Sequence, residues 1–310
     1  MQRAFAGCTT LIAAGLPGGG TAAQPYAASR SLLREGAPSS TAEGAALARA
    51  VHQVIDLPRV FDDPYALPIL GPLAAGRLQS AIDRGGAGMR ASIVMRSRYA
   101  EDRLAAAVAR GVRQYVLLGA GLDTFSCRNP HAAAGLRVFE VDHPATQRAK
   151  RERLARAGLT PVAGTTFVPV DFETDSPRTA LTAAGLRFDQ PVFFSLLGVV
   201  IYLTHEATME TMRLVAGCAP GSGIAFSFSV PDDLLNDPQR ASRRRAMDRL
   251  AAVGEPWINF YPPDRLAGAL LGLGFATAEP FSPADANRTY FAGRTDNLRI
   301  ATGYMMSARV

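Results

Sequence analysis

Three places in the sequence combine residue types that could hold a ligand. The first is Gly119-Ala120-Gly121-Leu122-Asp123, directly after the apolar run Tyr115-Val116-Leu117-Leu118. Two glycines let a backbone turn sharply and approach a ligand closely, because no Cβ intrudes. The second is Asp142, 21 residues after Gly121 and at the end of Val138-Phe139-Glu140-Val141. A carboxylate there can accept both hydroxyls of a ribose. The third is Asp171, after a further apolar run at 167–170, where an adenine edge would lie. Each has a plainer reading. Gly-x-Gly turns connect strands to helices in many folds, Asp142 could cap a helix opening at Pro144, and Asp171 could be a turn residue. A pyrophosphate-binding GxGxxG loop wants glycine at 124, and that position is Thr124. The loop therefore suits a dinucleotide less than a nucleoside cofactor without phosphates. S-adenosylmethionine is such a cofactor.

These residues need elements to position them. Strands are expected at 115–118, 138–141, 167–170, 192–197, 223–230, 275–281 and 300–307. Helices are expected at 45–55, 89–110, 144–157, 205–218 and 264–273. Pro144 sits at a permitted first turn, and Gly111 and Gly158 follow helix ends. Ser40-Thr41-Ala42-Glu43 has the form of a capping box, with Ser40 as N-cap. Strands alternating with helices argue a doubly wound, mainly parallel seven-stranded α/β sheet. Residues 31–310 then form one domain, with a helical cap at 31–95 over a core at 96–310. Residues 1–30 differ: Gln2-Arg3, a weakly apolar stretch, Gly18-Gly19-Gly20 and a small-residue end. That outline fits a flexible extension or a diluted export signal. A cytoplasmic location is expected, with export as the alternative.

The composition narrows the function classes. Apolar residues make up 48% and charged residues 19%, which suits a packed core. No apolar run approaches the ~18 residues of a membrane span. The net charge is +6, yet all basic residues but Lys150 are arginine and most are dispersed. The one dense group is Arg240, Arg243, Arg244, Arg245 and Arg249. It reads as a solvated helix face or as an anion contact. Neither a nucleic-acid partner nor a membrane is expected. Three isolated cysteines and four scattered histidines offer no zinc framework or HExxH, and neither GxSxG nor GxxxxGK[ST] occurs. No metal site is expected.

The segments taken together resemble the leucine carboxyl methyltransferases and tetracenomycin-type polyketide O-methyltransferases of class I. The resemblance runs over Ser40-Thr41-Ala42-Glu43, Phe61-Asp62-Asp63-Pro64-Tyr65-Ala66 and Arg96-Ser97-Arg98-Tyr99. It continues through Leu118-Gly119-Ala120-Gly121-Leu122-Asp123-Thr124, Phe139-Glu140-Val141-Asp142-His143-Pro144 and Val168-Pro169-Val170-Asp171-Phe172. Tyr202-Leu203-Thr204 and Gly254-Glu255-Pro256 complete it. The resemblance implies a Rossmann-like fold and S-adenosyl-L-methionine as cofactor. It implies that Gly119 and Gly121 face that cofactor, that Asp142 takes the ribose hydroxyls, and that Asp171 and Phe172 hold the adenine. An arginine of the 96–98 segment would pair with the cofactor's methionine carboxylate, as a guanidinium can do bidentately. Arg98 is favoured because it sits beside Tyr99. In one departure, Leu197 stands where many relatives carry an acid.

The expected activity is methyl transfer to a carboxylate or hydroxyl of a small-molecule acceptor, with Tyr65 and Tyr202 on the acceptor side. A carboxylate, with a pKa near ~4, needs no general base. A phenol would need one, and His143 and His205 are the histidines to consider, although both read as helix-start residues. Glu140 is expected to point away from Asp142 and is not taken as a ribose ligand. The alternatives are an NAD(P)-dependent oxidoreductase and a cofactor-binding protein without catalysis.

Overall fold

The computed structural model describes residues 40–310 apart from 73, 172–174 and 253. Residues 1–30 and Phe172 lie outside the described residues. The cap begins with α1 (Ser40–Ile55) and α2 (Ala74–Asp83), and α3 (Ala87–Ala109) leads into the sheet. The boundary expected at 95/96 falls inside α3, which belongs to both parts.

The core alternates as the apolar runs require. It comprises β1 (Gln114–Leu118), α4 (Phe125–Arg128), β2 (Arg137–Asp142), α5 (Pro144–Arg156), β3 (Thr165–Pro169), α6 (Pro177–Ala183) and β4 (Phe193–Leu196). There follow α7 (His205–Ala216), β5 (Gly223–Phe228), α8 (Asp237–Ala251), α9 (Pro263–Gly272), β6 (Thr277–Phe281), α10 (Pro283–Tyr290) and β7 (Tyr304–Arg309). The seven strands form one sheet in the order β3-β2-β1-β4-β5-β7-β6, with β7 antiparallel to both neighbours.

Burial explains which strands are central. Every residue of β1 and of β4 is buried, as expected for strands covered on both faces. Alternate residues of β1 serve opposite layers. Val116 and Leu118 pack with the α6, α7 and α9 side, while Tyr115 and Leu117 pack with the α3 and α10 side. The edge strand β6 is largely open and carries Pro280, a residue a central strand could not accommodate. Winding reverses between β1 and β4, so a crevice opens at their carboxyl ends, where open α/β sheets hold ligands.

Glu43 is expected to share a capping box with Ser40, whose side chain lies outside the described residues; the described contacts of Glu43 are with other elements. Its carboxylate lies 3.0 Å from Arg77 on α2 and also pairs with Arg153 on α5. Glu43 thus joins the cap to the core.

Candidate active site

The glycine loop leaves β1 and folds back on β2. The N–H groups of Gly119 and Ala120 both donate to the carbonyl of Val141, at 2.8 and 3.1 Å. Gly119 takes a φ of +69°, a conformation glycine adopts without strain. A Cβ there would fall 2.5 Å from Cγ2 of Val199, the residue that follows Gly198 beyond β4. The glycine is therefore required by the close approach of two strand ends as well as by any ligand. Ala42 of α1 lies against Gly121, so the cap's first turn closes over the loop.

Asp142 is wired into this loop. One carboxylate oxygen accepts the N–H of Gly121, and the other accepts the N–H of His143 at 2.7 Å. Burial raises its pKa, against the pull of those two hydrogen bonds and of Lys150 and His143. Each oxygen keeps a second lone pair for a ligand hydroxyl. The N-cap of α5 is His143 rather than Asp142: its Nδ1 accepts the N–H of Ala145 at 3.2 Å. The other ring nitrogen of His143 lies 3.9 Å from Oδ2 of Asp171. Asp142, His143 and Asp171 thus converge beyond β2 and β3. Glu140, two residues before Asp142, shares its face of β2 by strand alternation, contrary to the expectation above, but it is buried and held by Lys150.

Arg98 stands away from this group. It is exposed, donates to Asp102 at 2.8 Å and to the Val60 carbonyl at 3.3 Å, and lies over Tyr290. Residues two apart on a helix are about 200° apart around its axis, so Arg96 and Arg98 cannot share a face. Arg96, and not Arg98, lines the crevice. Gly198, with φ +73°, makes room for it, since a Cβ at 198 would fall onto the Arg96 guanidinium. Among the described residues this guanidinium has no hydrogen-bond or ion-pair partner. Burial and then the charge of Arg49 lower its pKa to about 10, while Tyr202 and Asp123 act in the opposite sense.

Tyr202 belongs with Arg96. Its hydroxyl accepts the indole N–H of Trp257 at 3.2 Å, and burial raises its pKa. Tyr65 is not in this group; it packs on the small core under α1 that contains Ile69 and Leu122. Leu197 packs against the layer under α3.

The sequence reading missed how the cap is held. Arg49 donates to Asp63 at 2.8 Å and to the Leu122 carbonyl at 2.7 Å, and Thr124 donates its hydroxyl to Asp63. Arg49 and Asp63 are both buried. Asp63 belongs to the Phe61–Ala66 segment, and Leu122 and Thr124 to the glycine loop, so two separate motifs meet in one network. Asp123 lies beside it. Burial would raise its carboxyl, but the charges of Arg49, Arg128 and Lys150 and the Phe125 N–H hold it below the ordinary range.

Beside Gly198 and Arg96 opens a small cavity of about 120 Å³. It is walled by α3, the ends of β4 and β5, the start of β7, Arg243 of α8 and Trp257. The Gly119 loop, Asp142 and Asp171 occupy the β1–β3 half of the sheet, and the cavity occupies the β4–β7 half. Arg96 stands at their junction.

Residues 42–216 match the family model for leucine carboxyl methyltransferase. A Bacillus subtilis protein, YktD, named as an S-adenosyl-L-methionine-dependent methyltransferase, is 33% identical over 293 residues, covering 86% of this chain and 95% of its own. A similarly named Frankia alni protein is 33% identical over 259 residues, covering 81% and 86%. The chain belongs to the leucine carboxyl methyltransferase family. It is an S-adenosylmethionine-dependent methyltransferase, and the dinucleotide oxidoreductase alternative is set aside. The structure of a DUF574 family protein from Streptomyces avermitilis shares the fold, with a TM-score of 0.54 at 19% identity over 86% of this chain and 96% of that one. Among the described residues no helix is long and apolar enough to cross a membrane.

Proposed function

We propose that this methyltransferase acts on an oxygen, carboxylate or hydroxyl, of a small metabolite. The observation that carries the reading is the Arg96 guanidinium between the glycine loop and the cavity, which has no hydrogen-bond or ion-pair partner among the described residues. A half-buried cation with no ion-pair partner among the described residues is costly, and a ligand carboxylate would relieve that cost. Arg96, rather than Arg98, is thus assigned to the methionine carboxylate of the donor. Asp142 takes the ribose hydroxyls with the lone pairs left by Gly121 and His143. Asp171, and by family resemblance Phe172, hold the adenine.

When bound, S-adenosylmethionine supplies a methyl group on a cationic sulfur, transferred in line to the acceptor oxygen as the C–S electron pair returns to sulfur. The protein's part is to align the acceptor and exclude water. Ala42 over the glycine loop and Tyr202 with Trp257 close the space around Arg96. None of the described residues lining the cavity is Asp, Glu or His. His143 caps α5, and His205 lies 3.2 Å from the Tyr261 hydroxyl in another cluster. A described wall without Asp, Glu or His favours an acceptor that arrives ionised, and a carboxylate does so at neutral pH.

The test is methyl transfer from isotopically labelled donor to a panel of small carboxylic acids and phenols. A product labile to mild alkali is an ester and establishes carboxyl methylation. An alkali-stable product from phenols alone would assign the hydroxyl. Transfer to nitrogen or carbon acceptors only would overturn the reading.

A further inference from the structure

The arginine group at 240–249 divides in the fold. Arg244, Arg245 and Arg249 are exposed on α8, whereas Arg243 is buried and lines the cavity. Its guanidinium is fixed by the Val230 carbonyl, by Asp232 and by the ring of Phe260, 4.9 Å away. Its acidic partner is a weak one. Asp232 is 67% exposed at the side chain, on a short turn outside the cavity, so water screens it. Burial lowers the Arg243 pKa. Here is a second arginine, held in place beforehand, on a different element from Arg96. The wall between them is mostly apolar, with Met95, Ile201, Phe228 and Trp257, and carries the hydroxyls of Ser92, Ser229 and Tyr304.

Resting on the methyltransferase reading above, we propose that Arg243 binds a second anionic group of the acceptor, remote from the oxygen that is methylated. The acceptor class is then a compact diacid, and the product its monoester. An arginine sunk in an apolar wall discriminates strongly, because a neutral analogue leaves the buried charge without its ligand partner. The cavity is small, which restricts the acceptor to a compact molecule.

The experiment uses the full chain saturated with S-adenosylhomocysteine and titrated calorimetrically with terephthalate and with its monoamide, 4-carbamoylbenzoate. The diacid should bind about ten-fold or more tightly than the monoamide. In Arg243→Gln the difference should vanish while S-adenosylhomocysteine affinity stays unchanged. In Asp232→Asn, which frees Arg243 of its competitor, the diacid should bind more tightly than to the wild type. Equal binding of the two probes, binding of neither, or a preference that survives Arg243→Gln would overturn the proposal. So would loss of diacid preference in Asp232→Asn. The S-adenosylhomocysteine titration stands apart as a control. If that ligand fails to bind the wild type, the donor-site reading fails; if it binds and the probes behave alike, only the Arg243 proposal does.

Discussion

At the scale of single residues, the site is an arrangement of charges whose partners are partly supplied by the protein and partly left for a ligand. Asp142 illustrates the first case. Its carboxylate orders the glycine loop through Gly121 and still has acceptor capacity. Asp142→Ala should weaken S-adenosylhomocysteine binding by about 1.5–3 kcal/mol, the range for hydrogen bonds to a charged group. Unchanged affinity would remove the ribose assignment. The pH dependence follows from the raised pKa of Asp142. Binding needs the ionised form, so affinity should fall on the acid side at a pH above the ordinary aspartate value, measurable by titration at stepped pH. An acid limb at or below the ordinary aspartate value would contradict the assignment. A valine at 119 is a poorer probe, because it would strike Val199 and strain the backbone whether or not a ligand is present.

At the scale of elements, the cap is fastened to the sheet by buried ions. Arg49 on α1 meets Asp63, and Asp63 meets Thr124 of the glycine loop. Asp63→Ala leaves Arg49 buried without its counterion and should cost about 3–5 kcal/mol in denaturant unfolding. A loss below about 1 kcal/mol would place this pair among those that contribute little. The glycine loop and β2 were legible in the sequence because an apolar run, a turn and an acid fall in one short stretch. Arg49 was not, since nothing local marks a partner across the fold. The choice between Arg96 and Arg98 was not legible locally either: adjacency to Tyr99 points to Arg98, whereas the helical angle that separates the two puts only Arg96 on the cavity wall. The helices at α2, α6 and α10 were passed over because they are short or lie between prolines and glycines. The signals were nonetheless present in part. Ser176 and Ser282 cap α6 and α10, each with proline in the first turn. The last strand begins four residues later than its apolar pattern suggested, because Ile300 packs beneath α3 and α10 rather than in the sheet.

At the scale of the whole molecule, the sheet divides the work. Its β1–β3 half carries the groups proposed to bind the donor, its β4–β7 half carries the cavity, and α3 crosses between them with Arg96. The same helix is anchored at its start by a buried triad. Arg90 forks onto Asp56 at 2.6 and 2.9 Å, and Asp56 also accepts from His52 Nδ1 at 2.8 Å. Nε2 of His52 accepts the N–H groups of Val60 and Phe61, which fixes the proton on Nδ1. Burial would raise the Asp56 pKa, but the hydrogen bonds from His52 and Arg90 and their charges hold it below the ordinary value of 3.8. A depressed folded pKa contributes stability that is present above the unfolded value and lost as pH falls through the folded one. Asp56→Asn should therefore destabilise the protein by about 3 kcal/mol at neutral pH. The gap from wild type should close as pH drops below about 4. Denaturant unfolding across pH checks this; a gap independent of pH would mean that the triad acts by shape rather than charge.

The most direct test of the central claim is calorimetric titration of S-adenosylhomocysteine into the wild type, Arg96→Gln and Arg98→Gln, each checked for an unchanged unfolding midpoint. The assignment of the donor's carboxylate to Arg96 predicts a loss of about ten-fold or more in affinity for Arg96→Gln and none for Arg98→Gln. Full affinity in Arg96→Gln, or a loss confined to Arg98→Gln, would contradict it.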